Sequence, residues 1–261
     1  MTFELFIETI TSEIKRKAGE NYTVVVRDVD KNNGIVLKGM MITGVDSNVA
    51  PTIYLNDFYD AFMNGTDMER IVKQIWAIYE AEVPKGNLDL SFFTAFQNVK
   101  DRICYRLVNL AQNKRLLEQI PHVVFLDLAI CFYYSYITEE IGEASILIRN
   151  SHMELWGTDT AELMKLATVN TPRLFPAEHY SILSALEGFL DKKEEITNEE
   201  RGICEKELDQ LPMRVLSNKS RIYGASCVIY PGVLEKLANE IESNFFILPS
   251  SIHEGATRFA A

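Results

Sequence analysis

Basic charge is what this 261-residue chain lacks first: 26 Lys+Arg stand against 37 Asp+Glu, a formal net charge of −11, with a pI near 5.0. A general nucleic-acid binder carries a basic footprint, so direct nucleic-acid binding is not expected. Long apolar runs are missing as well. The most apolar stretch, residues 122–137 (HVVFLDLAICFYYSYI), has 16 residues and contains Asp127. A bilayer span needs ~20 apolar residues, so no membrane attachment is expected. Residues 1–19 place their charges after the apolar part, with no continuous apolar core, and no export leader is expected. Cysteine is scarce: Cys104, Cys131, Cys204 and Cys227 are widely spaced and form no C-x-x-C. That pattern predicts buried, reduced thiols and a soluble, cytoplasmic protein.

Several chemical signatures are also absent. The four histidines, His122, His152, His179 and His253, are never paired at helical or strand spacing, so no metal site is expected. No G-x-x-x-x-G-K-[ST] or G-x-G-x-x-G occurs, and the 13 glycines are dispersed, so no nucleotide cofactor is expected. There is no internal repeat, low-complexity tract or Gly/Ser linker. Carboxylate pairs such as Glu139-Glu140 and Glu194-Glu195 carry no weight in so acidic a chain.

What is present is a globular composition, 47% hydrophobic and 24% charged. Phe3, Phe6, Ile7, Ile10 and Ile14 recur at helical spacing and predict a first helix over 3–17. Residues 22–27 and 35–42 read as strands of a hairpin, with Asn33 and Gly34 at the turn because both take positive φ cheaply. Residues 51–55 read as a short extended piece, an edge on which subunits could pair. Asn56 is placed as a helix cap, and Thr66 with Glu69 as the capping box of the next helix. Met68, Ile71, Val72, Ile75, Ile78 and Tyr79 make the stripe of that helix. The order α-β-β-β-α-α covers residues 1–86, and a boundary is placed at 84–88, giving domains 1–86 and 87–261.

Alternation at Ile103, Tyr105 and Leu107 predicts a half-buried strand. Residues 122–137 read as one buried strand, 144–149 and 153–156 as further strand, and 161–169 as a helix closed by Asn170 and Pro172. Residues 178–190 and a charged segment capped by Thr197 and Glu200 read as helices. Residues 213–217 and 221–230 read as a hairpin, with Gly224 marking a bulge. Pro231 is placed at the first position of a helix carrying Val233, Leu234, Leu237 and Ile241, and 245–248 is the next strand. The fold class is therefore α+β, with mixed or antiparallel sheets, packed helices and a C-terminal β-β-α-β unit.

Two segments could carry function. In residues 248–254 (LPSSIHE), continued strand geometry puts Ser251 and His253 on one face and Ser250 and Glu254 on the other. A Ser/His site also needs an orienting acid and an oxyanion hole, which nothing local supplies, so no catalytic residue is assigned. The plainer reading is that these side chains satisfy backbone groups at a strand end. In residues 170–173 (NTPR), Arg173 can take an anion or a partner carboxylate. Against that, Asn170 as cap, Pro172 as breaker and Arg173 on the helix dipole simply stop a helix.

Residues 122–128 (HVVFLDL), 156–176 (WGTDTAELMKLATVNTPRLFP), 224–232 (GASCVIYPG) and 246–254 (FILPSSIHE), in that order, resemble an uncharacterised bacterial family found in mobile elements of Gram-positive gut bacteria and distantly similar to YtpQ-like proteins. Asn170, Thr171, Pro172, Ser250, Ser251, His253 and Glu254 match its most distinctive words. The resemblance implies an α+β fold and a mobile-element setting, with no assigned active site. After His253-Glu254 the chain departs from the pattern, and residues 255–261 are expected to fray.

The expected function is that of a non-enzymatic, acidic protein-interaction protein, encoded by a mobile element. Its partner would have a basic surface, with antagonism of a host defence nuclease such as a CRISPR effector as one role. An unfamiliar hydrolase using Ser251 and His253 is the first alternative. A homo-oligomeric structural module is the second.

Overall fold

The computed structural model describes residues 1–45, 47–83, 89–138, 142–182 and 213–259. The chain forms two compact units, Met1–Phe93 with Gln112–Leu116, and Thr94–Ala111 with Leu117–Ala261. The expected boundary at 84–88 lies outside the described residues.

The first unit opens with α1 (Phe3–Ala18), where the Thr2 hydroxyl accepts the Leu5 N–H and Phe6, Ile10 and Ile14 are buried. One face is apolar at 3.6-residue spacing, so this helix is specified by burial. β1 (Tyr22–Asp30) and β2 (Val36–Gly44) pair antiparallel from Tyr22↔Gly44 to Asp30↔Val36. Asn33 (φ 62) and Gly34 (φ 71) take the left-handed conformations the reversal needs. β3 (Thr52–Tyr54) pairs with the free side of β2 and forms the sheet edge. α2 (Asn56–Met63) and α3 (Met68–Glu82) follow. Their apolar faces and that of α1 cluster on Val24, Met40, Ile42 and Ile53.

Both expected caps in this unit are corrected. Asn56 is the first residue of α2, and its Oδ1 accepts the Lys38 N–H at 3.0 Å, tying the helix to β2 instead of capping it. α3 is capped by Asp67, whose carboxylate accepts from Glu69 and Arg70 N–H, one residue after Thr66. A carboxylate there also complements the helix dipole.

Among the described residues the second unit holds two antiparallel sheets. In the first, β4 (Ile103–Asn109) pairs with β6 (Leu128–Thr138), whose other side pairs with β5 (His122–Phe125) and then β7 (Gly142–Leu147). β4 is buried on both faces, Cys104 and Val108 as well as Ile103, Tyr105 and Leu107, so it is not half-buried as alternation implied. The stretch 122–137 is two strands, reversed through Leu126 and Asp127 with Phe125 opposite Leu128. Residues 153–156 belong to a helix, α4 (Asn150–Trp156), ended by left-handed Gly157.

α5 (Thr160–Leu174) is capped by Asp159, whose carboxylate accepts the Glu162 N–H, and it does not stop at Asn170 as expected. It carries Pro172 in its last turn because its side chains grip β4, as described below. Residues 177–181 are strand rather than helix. The second sheet runs β10-β11-β9-β8, from β8 (Ala177–Ser181), β9 (Met213–Asn218), β10 (Phe245–Pro249) and β11 (Gly255–Phe259). The expected helix capped by Thr197 and Glu200 lies outside the described residues.

Residues 224–229 wind into a 3₁₀ helix, so the expected 213–217/221–230 hairpin is replaced by pairing of β9 with β8 and β11. A glycine-to-serine run can follow either path, and tertiary contacts decide it. Pro231 precedes Gly232, the cap of α6 (Val233–Ile241), so it sits just outside the helix. Residues 255–259, expected to fray, instead form β11 between β10 and β9. Among the described residues no helix is long and apolar enough to cross a membrane.

Candidate functional site

The four residues Ser250, Ser251, His253 and Glu254 fall in the turn between β10 and β11, where strand geometry is broken. The Ser251 N–H donates to the Glu254 carbonyl at 3.1 Å. The Ser251 hydroxyl accepts the backbone N–H of His253 at 3.0 Å, and no hydrogen bond from it to the imidazole is described. His253 Nδ1 accepts the Tyr223 N–H at 3.2 Å, and its ring stacks on Tyr223 with centroids 5.7 Å apart and planes 11° off parallel. An Nδ1 that accepts is unprotonated, which puts the ring proton on Nε2 in the neutral tautomer. Ser250 is exposed, and the half-buried Glu254 acts on Tyr180 through its charge. No hydrogen bond described for His253 reaches a carboxylate, so the segment forms a structural turn and an aromatic stack rather than a nucleophile–base pair.

That turn is locked to the 3₁₀ segment. The Ser217 hydroxyl donates to the His253 carbonyl at 2.7 Å, and the Ala225 N–H donates to the Ile252 carbonyl at 3.4 Å. Gly224 sits where a Cβ would lie 2.5 Å from the His253 carbonyl oxygen and 2.8 Å from the Asn218 nitrogen, and against the Ser217 hydroxyl. Only glycine fits that close approach. Tyr223, immediately before it, is forced to φ 51, a strained value for a bulky residue. Three contacts hold it: its N–H on His253, its carbonyl accepting from the Ser226 hydroxyl, and its phenol 3.2 Å from the Ser145 hydroxyl.

A cavity of about 150 Å³ opens beside Tyr223, walled by Tyr133, Phe175, Tyr223 and His253, with Ser135, Ala144, Ser145 and Ile222 completing it. Tyr133 meets Tyr223 edge-on at 5.0 Å, and the Arg106 guanidinium carbon lies 4.9 Å from the Tyr223 ring centre. Burial pushes the Tyr133 phenol well above its ordinary range, with Arg106 opposing, so it stays a hydroxyl donor at neutral pH.

Asn170, Thr171 and Arg173 build a clamp rather than a helix stop. Asn170 Nδ2 donates to the carbonyls of Lys100 (2.8 Å) and Ile103 (3.1 Å). The Thr171 hydroxyl donates to the Ala167 carbonyl at 2.6 Å and accepts the buried Tyr105 N–H at 3.1 Å. Arg173 Nη2 donates to the Asp101 carbonyl at 2.6 Å and to Asn170 Oδ1 at 3.2 Å. These bonds satisfy backbone groups where the chain enters β4, and they outweigh the hydrogen bond that Pro172 removes from the helix. Among the described residues no group of three or more His, Cys, Asp or Glu side chains could hold a metal ion.

The model of a family of unknown function, DUF5688, matches residues 3–255. The chain belongs to the DUF5688 family. No curated protein and no solved structure matches it.

A further feature of this DUF5688 chain escaped the sequence reading. The β5–β6 reversal exposes Val124 (59%), Phe125 (38%) and Leu126 (80%) together. Leu126 has φ 54. Tight reversals of this kind favour Asn or Gly, which enter the left-handed region without strain. Here an aliphatic residue takes that place with its side chain in water. The only sequence signal was Asp127 interrupting an apolar run.

Proposed function

We propose that the chain is a non-enzymatic, acidic protein-interaction protein whose β5–β6 tip seats in an apolar pocket within a basic surface of its partner. The observation that carries the reading is Leu126, strained and 80% exposed at once. Neither the strain nor the exposed apolar area stabilises the free molecule. Burial of that side chain by a partner would offset both. Val124 and Phe125 widen the contact, and the −11 charge draws a basic partner from a distance. A defence nuclease, with a basic groove for its nucleic acid, is a partner of this chemistry. A mobile element is the carrier such an antagonist would serve.

The test is affinity capture at low and high salt with wild type beside Leu126→Asn. The expected result is one stoichiometric partner, held at low salt, released at high salt and lost with the substitution. Capture that Leu126→Asn leaves undiminished removes the tip from the reading. No partner at either salt overturns the interaction function itself.

A further inference from the structure

We propose that the cavity between Tyr133, Phe175, Tyr223 and His253 is a binding site for a small uncharged aromatic alcohol, a phenol, whose hydroxyl meets Ser135. Ser135 lines the cavity and is only 2% exposed. Outside the strand ladder, the hydrogen bond described for it is the one its carbonyl accepts from Arg102, and none is described for its hydroxyl. The β6–β7 register sets Ser135 directly opposite Ser145, so the two hydroxyls share one sheet face. The Ser145 hydroxyl is engaged with the Tyr223 phenol at 3.2 Å. The Ser135 hydroxyl is withdrawn from bulk water with no protein group described to replace it, an unfavourable arrangement. A ligand hydroxyl relieves it, since it can donate to Ser135 or accept from it.

The lining disfavours an ion. Its described residues are aromatic, aliphatic or hydroxyl-bearing, together with His253, whose Nδ1 accepts the Tyr223 N–H and leaves the ring neutral. Arg106, the cation found against the Tyr223 ring, is not among them. An ion brought here would lose its water with no opposite charge in that lining to replace it.

Size and shape narrow the class to one ring. The volume is about 150 Å³. Apolar cavities of roughly that volume hold a single benzene. Tyr133 meets Tyr223 edge-on at 5.0 Å and Phe175 at 6.4 Å with planes 45° apart, so a bound ring finds both faces and edges to pack on. Tyr223 holds its ring at the wall with φ 51, strain of the kind that clusters at ligand sites. It is already fixed by backbone, carbonyl and phenol contacts, so binding requires little ordering. The buried Ser135 marks the inner end, and the exposed Ser145 and His253 mark the mouth.

The probe is phenol, titrated into the full chain and followed by the NMR signals of the Tyr133 and Tyr223 rings. Toluene serves as the same shape without the hydroxyl, and benzoate as the charged comparison. A purely apolar site prefers toluene, because the phenol hydroxyl loses its water on entry. Saturable phenol binding at least as tight as toluene, and tighter than benzoate, is therefore expected. Ser135→Ala should weaken phenol roughly two- to tenfold, the worth of one ordinary hydrogen bond, and should not weaken toluene. Toluene tighter than phenol, benzoate as tight as phenol, or no saturable shift of those two rings overturns the proposal, as does phenol binding that Ser135→Ala leaves intact. The first three comparisons are made on the wild type, so they decide the matter even where Ser135→Ala fails to fold.

Discussion

Replacing Leu126 by Asn should make the protein more stable and less able to bind, and the two effects can be measured separately. A left-handed backbone costs an ordinary L-residue roughly 1–2 kcal/mol, and Asn is among the residues that tolerate it best. The side chain is 80% exposed, so its loss forfeits only about a fifth of the ~1.5–3 kcal/mol of a fully buried leucine, about 0.3–0.6 kcal/mol. The balance favours Asn by about 0.5–1 kcal/mol. With a urea dependence of ~1–3 kcal/mol/M, the midpoint should rise by about 0.2–1 M. The chain has two tryptophans, so a Trp76→Phe background isolates Trp156, which packs on Phe96 at 5.9 Å inside the second unit. Urea unfolding followed by Trp156 emission is then a local report on the unit that carries the tip. A midpoint unchanged or lowered by Leu126→Asn would show that the leucine is neither strained nor idle in the free molecule, and the case for its role in binding would fall with it.

Three further outcomes follow from the packing. Gly224→Ala drives a Cβ to 2.5 Å from the His253 carbonyl oxygen, which is backbone and cannot swing aside, so a loss of about 3 kcal/mol is expected in the same urea assay. Thr171→Val keeps the shape but leaves the buried Tyr105 N–H unpaired, and should cost about 1–3 kcal/mol; hydrogen exchange at Tyr105 should quicken in step. Burial pushes the thiols of Cys104, Cys131 and Cys227 up to about 12 from an ordinary 9.0. In a Cys204→Ser background they should therefore react with a thiol reagent at pH 8 only as fast as the protein unfolds. Their linkage is to alkali. Between pH 9 and pH 12 the unfolded chain ionises these thiols while the folded one keeps its protons, so stability falls as pH rises, by up to about 1.4 kcal/mol per pH unit for each thiol. Stability that stays flat across that range would contradict the burial.

The first unit was legible because each of its elements is specified locally. Phe6, Ile10 and Ile14 mark a helix face, and Asn33-Gly34 marks a reversal whose φ values only such residues take easily. The α+β class followed from the same signals. In the second unit, local signals and tertiary contacts disagree. Continuous apolar sequence hid the reversal at Leu126, since a buried run looks alike whether it crosses a sheet once or twice. Asn170 and Pro172 read as an ending, yet the bonds of Asn170 and Thr171 to residues 100–105 accompany a helix that runs on to Leu174. The words around Gly224 and His253 were visible, and the structure brings them into contact. Ser135 and Tyr223 were not visible. A serine in a strand and a tyrosine before a glycine say nothing until a cavity and a positive φ are seen in place.

The strand order β10-β11-β9-β8 has a consequence for how the protein is made. β11 is the later strand in sequence, yet it lies between two earlier ones, hydrogen-bonded to both. While the chain emerges from the ribosome, β9 and β10 each present an open edge with no neighbour to close it. The two facing edges close only when β11 slots in, and β10 and β8 remain the outer strands of the finished sheet. Until then both edges are exposed to whatever other extended chain is nearby, the condition in which nascent strands mispair.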